Sequence, residues 1–419
     1  MLKGEIMKIY KLFALLLVFG IVAISLNSCG KKETGPIKIG VLLPLTGHQA
    51  NFGTMEKNSY ELAKAKINNA GGIDGRKLEF VYEDDTGKPD VGRAGAEKLI
   101  NVNKVPMISG GYSSSVTFAA AAVAQQYRTP FLVNTGSVDK ITQPEAFNLT
   151  TNDGAKFYIY RMNPPVSEYA SGLESLLSQV VKPASVYIIH ESSAFGTKGA
   201  KSFAKTAAKL GIKVLGTQSY SSGTVDFKPL LLNVKKANPD MVYMISYVMD
   251  ASLLMKQSRE LNFTSPKLFV GAGAGFTMPA FKENAGKASE DVVSATLWHQ
   301  SLPIKGASDY FKEYVKTYGG DGPDYHGAEA YSAATVVANV LKRCKGDYSK
   351  ENIKKALDNT DMMTVFGPVK FTSYGKKIHQ NKMQTYVVQW INGSLKLVWP
   401  KNLANADFVF PINWKKVWK

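Results

Sequence analysis

The chain is poor in the residues that build metal, redox and disulfide sites. It has two cysteines, Cys29 and Cys344, and five histidines. The histidines stand at positions 48, 190, 299, 326 and 379, none at the spacing of a metal-ligand pair. That distribution argues against a cysteine-based metal or redox centre. No Gly-x-Ser-x-Gly elbow, phosphate-loop lysine or zinc-type histidine pair occurs, which removes the commonest hydrolase, nucleotide and metalloprotease signatures. The glycine run 271–275 follows a predicted strand, but Phe276 occupies the place of the third glycine of a dinucleotide loop. Asp84 and Asp85 are adjacent at a strand end, where successive side chains point apart. They read as turn chemistry, not as an acid–base pair. These absences leave no catalytic constellation, so no enzyme activity, cofactor or metal is expected.

What is present begins at the N-terminus. Lys3, Lys8 and Lys11 precede an apolar run over 12–26, shorter than the roughly 20 residues of a membrane-spanning helix. Basic flank, short apolar core and small residues make the pattern of a secretory signal peptide over 1–28. Its end, Leu26-Asn27-Ser28-Cys29-Gly30, resembles the bacterial lipobox, in which the cysteine is acylated and becomes the first mature residue. The other reading of Cys29 is a free thiol in an ordinary signal peptide. One acyl chain binds a membrane only marginally, at roughly 0.8 kcal/mol per methylene, whereas two or three hold firmly. The expectation is an exported body, lipid-anchored through Cys29 and a tether over 29–36, facing the periplasm or cell exterior. An acylated Cys29 leaves Cys344 without a partner for a disulfide.

The net charge is +17, large enough to suggest nucleic acid, membrane or anionic ligand. The lysines are scattered, in pairs such as Lys354-Lys355 and Lys376-Lys377, and sit in no nucleic-acid motif. The charge reads as a solvated surface that favours anionic lipid headgroups, with no nucleic-acid partner.

About 390 residues follow Cys29, a length suited to two domains. Strand-like runs at 37–44, 77–82 (alternating), 105–109 (of buried type) and 130–133 are interleaved with helical periodicity at 54–70, 94–103 and 115–126. After Tyr160 the pattern restarts, with strands at 185–190, 213–216, 241–245 and 267–270 and helices at 199–210, 225–237 and 251–261. Strands alternating with helices at this spacing imply βαβ units around parallel sheets. The predicted fold is α/β, two doubly wound Rossmann-like lobes. In such sheets ligands bind beyond the carboxyl ends of the strands. The loops there are rich in glycine and hydroxyls, as in Gly110-Gly111-Tyr112-Ser113-Ser114-Ser115, Asn134-Thr135-Gly136-Ser137 and Glu191-Ser192-Ser193. Ser113 opens a helix, so it is either part of an anion site made with backbone amides or a plain N-cap.

Several segments occur in an order that resembles the type I periplasmic binding proteins of the leucine/isoleucine/valine-binding family. They include Pro44-Leu45-Thr46-Gly47, Asn51-Phe52-Gly53, Asn68-Asn69-Ala70-Gly71-Gly72-Ile73-Asp74-Gly75-Arg76, Asn238-Pro239-Asp240, Pro323-Asp324-Tyr325 and Phe366-Gly367-Pro368-Val369. The resemblance spans essentially the whole mature chain. It implies lobe I over 37–160 with 298–382, lobe II over 161–297 with 383–402, a C-terminal tail over 403–419, and three crossovers near Arg161, Trp298 and Asn381. It also implies a monomeric receptor that delivers a small molecule to the permease subunits of an ABC importer; the alternative is a sensor signalling to a membrane kinase or chemoreceptor. Carried over by position, Ser113 with Ser114 matches the ligand-carboxylate site and Ser137 the loop that supplies a carbonyl and a hydroxyl. Phe52 and Phe195 match aromatic pocket positions, and Tyr247 the second lobe's hinge-side contact. Amino-acid binders of the family often carry a glutamate after the strand that here ends at Val270; this chain has 271–275 there. Asp139 and Asp250 are the candidate substitutes. The ligand class is accordingly an amino acid or an aromatic or aliphatic carboxylate without an amine.

Overall fold

The computed structural model describes residues 35–419. The signal peptide, Cys29 and most of the tether lie outside the described residues. Among the described residues, no helix is long and apolar enough to cross a membrane.

The first strand, Ile37–Leu43 (β1), shows how the sequence makes its layers. Ile39, Val41 and Leu43 pack on one side and Leu42 on the other, as the alternation of strand side chains requires. Both faces are buried, which is why the run is almost continuously apolar. The helices Ala50–Asn69 and Tyr325–Arg343 cover one face through Tyr60, Ala63, Ala330 and Ala334. Pro89–Asn101 and Ser114–Gln126 cover the other through Leu99, Ala120 and Val123. A Cβ on Gly40 would stand 3.0 Å from the Leu99 methyls, so the glycine admits that leucine. Each large apolar side chain so buried contributes roughly 1.5–3 kcal/mol.

Four further strands follow in the first half: Leu78–Asp84 (β2), Ile108–Gly110 (β3), Phe131–Val133 (β4) and Ile159–Arg161 (β5). The second half adds Ser185–Glu191 (β6), Lys213–Tyr220 (β7), Met241–Ile245 (β8), Leu268–Gly271 (β9) and Val293–Thr296 (β10). Asp361–Thr364 (β11), Gly367–Lys370 (β12) and Thr372–Tyr374 (β13) come next, then Lys377–Gln380 (β14), Tyr386–Ile391 (β15) and Ser394–Trp399 (β16). One sheet runs β13-β14-β5-β4-β3-β1-β2 and the other β16-β15-β10-β9-β8-β6-β7. The two windings are the same, 2-1-3-4-5 in the first half and 7-6-8-9-10 in the second. In each, the chain reverses direction across the sheet beside the first strand, which opens a crevice at the strands' carboxyl ends. Antiparallel strands occur at one edge of each sheet, and β11 with β12 forms a separate hairpin.

The chain passes between the sheets after β5, after β10 and after β14. A buried polar network ties the first and third of these passages together. Gln380 Nε2 donates to Asn163 O at 2.7 Å, and Asn381 Nδ2 donates to Met162 O at 3.0 Å.

Several boundaries differ from the periodicity; the helix expected from 199, for example, begins at Ala194. The first helix begins at Ala50, four residues before 54. Gly53, which looks like a breaker, is there for a close approach: a Cβ would lie 2.0 Å from Pro44 O. The second begins at Pro89 in place of 94, because proline is tolerated at a first helical position whose N–H has no partner anyway. Strand β7 runs on past Gly216 to Tyr220, paired with β6 throughout, and the Tyr220 hydroxyl donates to Ser246 Oγ at 2.6 Å. The C-terminal residues are packed against the second sheet. Trp414 is buried, donates to Pro266 O at 2.8 Å and meets the Phe269 ring edge-on at 5.0 Å. Cys344 is a buried free thiol.

Candidate functional site

The crevice is built from residues that follow strands. After β3 the chain turns at Gly110, whose φ of +101 is open to glycine, and a Cβ there would lie 2.5 Å from Leu42 O. This turn delivers Tyr112, Ser113 and Ser114. Ser113 is the N-cap residue of the Ser114–Gln126 helix, yet its side chain makes no capping hydrogen bond. Ser114 Oγ accepts from Ser137 N at 3.2 Å and Val138 N at 3.0 Å, so its own proton is left to point elsewhere. The 134–138 loop after β4 is held from below by Arg161. That guanidinium is wholly buried and donates to Gly136 O, Val138 O, Thr142 Oγ1 and Gln380 Oε1. Burial lowers its pKa to about 10, which still leaves a cation beneath the loop.

Thr135, in the same loop, bridges two buried acids. Its hydroxyl lies 2.9 Å from Glu56 Oε1 and 2.9 Å from Glu329 Oε2. A hydroxyl has one proton to give, so at least one of the two carboxyls is itself protonated. Burial pushes Glu56 up to about 8 and Glu329 well above the carboxylate range.

The second sheet supplies Phe195 after β6, Tyr247 after β8 and the 271–277 loop after β9. The glycine run is a tight turn laid on the Tyr247 backbone: a Cβ on Gly275 would meet Tyr247 C at 2.4 Å. Tyr325 and His326 open the Tyr325–Arg343 helix, whose N-cap Asp324 accepts from His326 N at 3.0 Å. Aromatic rings meet across the crevice, with Tyr112 and Tyr247 centroids 5.8 Å apart and Phe195 stacked on Tyr247 at 5.7 Å. Three hydrogen bonds also cross it. Ala274 N donates to the Tyr325 hydroxyl at 2.8 Å, Thr277 Oγ1 to Asp324 Oδ2 at 2.6 Å, and Ala194 N to Ser115 Oγ at 3.3 Å. The cavity between them measures about 20 Å³, room for about one water molecule. This is a shut crevice, and a solute can enter only when the two sides part.

Tyr112, Ser114, Thr135, Ser137, Tyr325 and His326 line the cavity from one side, with Tyr169, Phe195, Tyr247 and Ala274 completing it. Of the residues singled out in the sequence, Ser114, Ser137, Phe195 and Tyr247 are therefore together. Phe52 and Ser113 stand one layer behind. Phe52 stacks under Tyr112 at 4.4 Å. The Ser113 and Ser193 hydroxyls flank that of Tyr247, whose pKa burial raises and those hydroxyls pull back. Asp139 and Asp250 do not line the cavity. Asp139 takes a hydrogen bond from Ser167 at 2.6 Å and faces Lys198 and Lys377, and Asp250 accepts from Gly223 N at 3.2 Å. The reading of the loops missed Thr135, Tyr169, Ala274, Tyr325 and His326. Pro323-Asp324-Tyr325 was the available signal for the last two. Among the described residues, no group of three or more His, Cys, Asp or Glu is placed to hold a metal ion.

Two doubly wound sheets closing on a ring of aromatic and hydroxyl groups define a solute-binding protein of two lobes. Residues 36–394 match the model of the family described as periplasmic binding protein, and the chain belongs to that family, one of exported solute-binding proteins. Leu/Ile/Val-binding protein homolog 7 of Brucella suis is 28% identical over 395 residues, covering 90% of this chain and 94% of its own. The substrate-binding protein LivJ of a branched-chain amino acid transporter from Streptococcus pneumoniae, solved with isoleucine, superposes with a TM-score of 0.76. It is 24% identical, over 86% of this chain and 97% of that one. A solute-binding protein of an ABC transporter from R. palustris, solved with benzoate, superposes equally well, at 0.76 with 19% identity over 86% and 95%.

Proposed function

We propose that the protein captures a small carboxylate-bearing molecule in the interlobe cavity and delivers it to the permease subunits of an ABC importer. The observation that carries this is the hydroxyl cluster of Ser114, Thr135 and Ser137 set among aromatic rings from both sides of the cavity. Isoleucine and benzoate, named for two similar structures, have one functional group in common, the carboxylate. The Ser114–Gln126 helix points its N-terminus into the crevice, where unpaired amides and the helix dipole favour an anion. Ser113 makes no capping bond and stands behind that N-terminus, beside the Tyr247 hydroxyl. Lobes over 37–160 with 298–382 and 161–297 with 383–402 part and close about the three passages, and the monomer is held at the membrane by acylated Cys29.

Ser113→Ala tests the site. Loss of a hydrogen bond to a charged group costs about 1.5–3 kcal/mol, a ten- to hundredfold loss of affinity by calorimetry, while the unliganded melting temperature stays near wild type. A capping role predicts the reverse, about 1 kcal/mol of stability lost and affinity unmoved. Cys29→Ser tests the anchor: the variant takes up no radiolabelled palmitate, and continued labelling contradicts the assignment.

A further inference from the structure

The cavity wall carries one group whose polarity is set by the fold. His326 lines the cavity, and its Nδ1 lies 2.9 Å from both oxygens of Asp324. A carboxylate oxygen accepts, so Nδ1 carries the proton. In the neutral ring this leaves Nε2 with a lone pair. Nε2 makes no hydrogen bond with any described residue. The ring cannot turn to bury that atom. Tyr325 stacks on it at 3.9 Å and Phe52 meets it at 4.9 Å. Asp324 is itself fixed, by His326 N and by Thr277 Oγ1 from the opposite lobe.

We propose that His326, held by Asp324, is the specificity-determining acceptor of the cavity, and that the ligand presents to Nε2 a hydrogen-bond donor, a hydroxyl or an ammonium. This rests on the carboxylate reading above and deepens it. Asp324, behind the ring, stands in for the acid missing from 271–275. Neither Asp139 nor Asp250 is placed to do this. The same carboxylate serves the ligand-facing ring and the Thr277 bond across the crevice, so recognition of the donor and closure of the lobes share one residue. The titratable groups around the ring are Glu56 from the first helix, Tyr112 after β3, Tyr247 after β8, and Asp324, Tyr325 and Glu329 of its own helix. Burial keeps Glu56, Glu329 and the tyrosines in their neutral forms.

The test uses two matched pairs of probes, leucine with 4-methylpentanoate and 4-hydroxybenzoate with benzoate, measured by calorimetry at neutral pH. The expected result is that the donor-bearing member of at least one pair binds roughly tenfold or more tightly and that His326→Phe abolishes the preference. Asp324→Asn keeps the N-cap while removing the charge and lowers the same preference; nitrogen-15 shifts of the His326 ring, read without ligand, report the Nδ1–H tautomer directly. Equal binding within both pairs, unchanged in His326→Phe, overturns this inference and leaves the carboxylate site standing. Ring shifts showing the proton on Nε2 also overturn it. If none of the four probes binds, the carboxylate reading and this inference fall together.

Discussion

Replacing Glu56 by glutamine should stabilise the protein at alkaline pH and leave it unchanged in acid. Glu56 is fully buried, takes a hydrogen bond from Asn134 Nδ2 at 2.8 Å on one oxygen, and shares the Thr135 hydroxyl through the other. Its carboxyl is raised by burial to about 8 from an ordinary 4.5. A folded-state pKa above the unfolded one means that the folded protein retains a proton the unfolded chain gives up. The stability is therefore complete below about pH 4.5 and is lost as the pH rises through about 8. The full span corresponds to roughly 5 kcal/mol, an upper figure because a relaxing interior softens it. Glutamine copies the protonated acid: its amide donates to Thr135 and its oxygen accepts from Asn134, but it does not titrate. Urea unfolding of both proteins between pH 5 and pH 9 reads the effect, since Asp250, which burial also raises, contributes alike to both. Curves that coincide near pH 5 and diverge by a few kcal/mol in favour of the variant at pH 9 are expected. Parallel curves, or a variant less stable throughout, would refute a protonated Glu56.

Two further outcomes follow from single contacts. The Tyr247 hydroxyl is buried without a well-formed hydrogen bond, with only the Ser113 and Ser193 hydroxyls beside it, so Tyr247→Phe should leave the unliganded melting temperature near wild type while weakening ligand binding about tenfold; a clear loss of stability would show that those serines already satisfy the hydroxyl. Trp414→Ala removes the ring packed on Phe269 and the bond to Pro266 O and should cost about 3–5 kcal/mol in urea unfolding, whereas a change under 1 kcal/mol would mean that the C-terminus is dispensable.

The layers were legible in the sequence because their cause is local. The near-continuous apolar run of β1 and the glycine-rich turn after β3 both announce a buried parallel strand and its carboxyl end. Asp84 and Asp85 read correctly as turn chemistry for the same reason: Asp84 Oδ1 accepts from Leu45 N and Thr86 N, and Asp85 Oδ1 from Gly87 N. Gly53 was misleading because a breaker and a close-approach glycine look alike until Pro44 is set against it. The cavity was only half legible. Serines after strands advertise themselves, but Glu56 and Glu329 meet at Thr135 from distant parts of the chain, and no spacing rule couples them. His326 was weighed by metal-ligand spacing, where it fails, while its partner Asp324 lies only two residues away at a helix cap, a position that ordinarily speaks of capping alone.

A crystal structure of the protein with its tightest-binding ligand tests the central claim most directly. The account predicts density among Tyr112, Phe195 and Tyr247, with a carboxylate on the Ser113 and Ser114 side. Density instead in the separate cleft of about 270 Å³ lined by Trp298, Asp321 and Trp390, or a ligand lacking an anionic group, would contradict it.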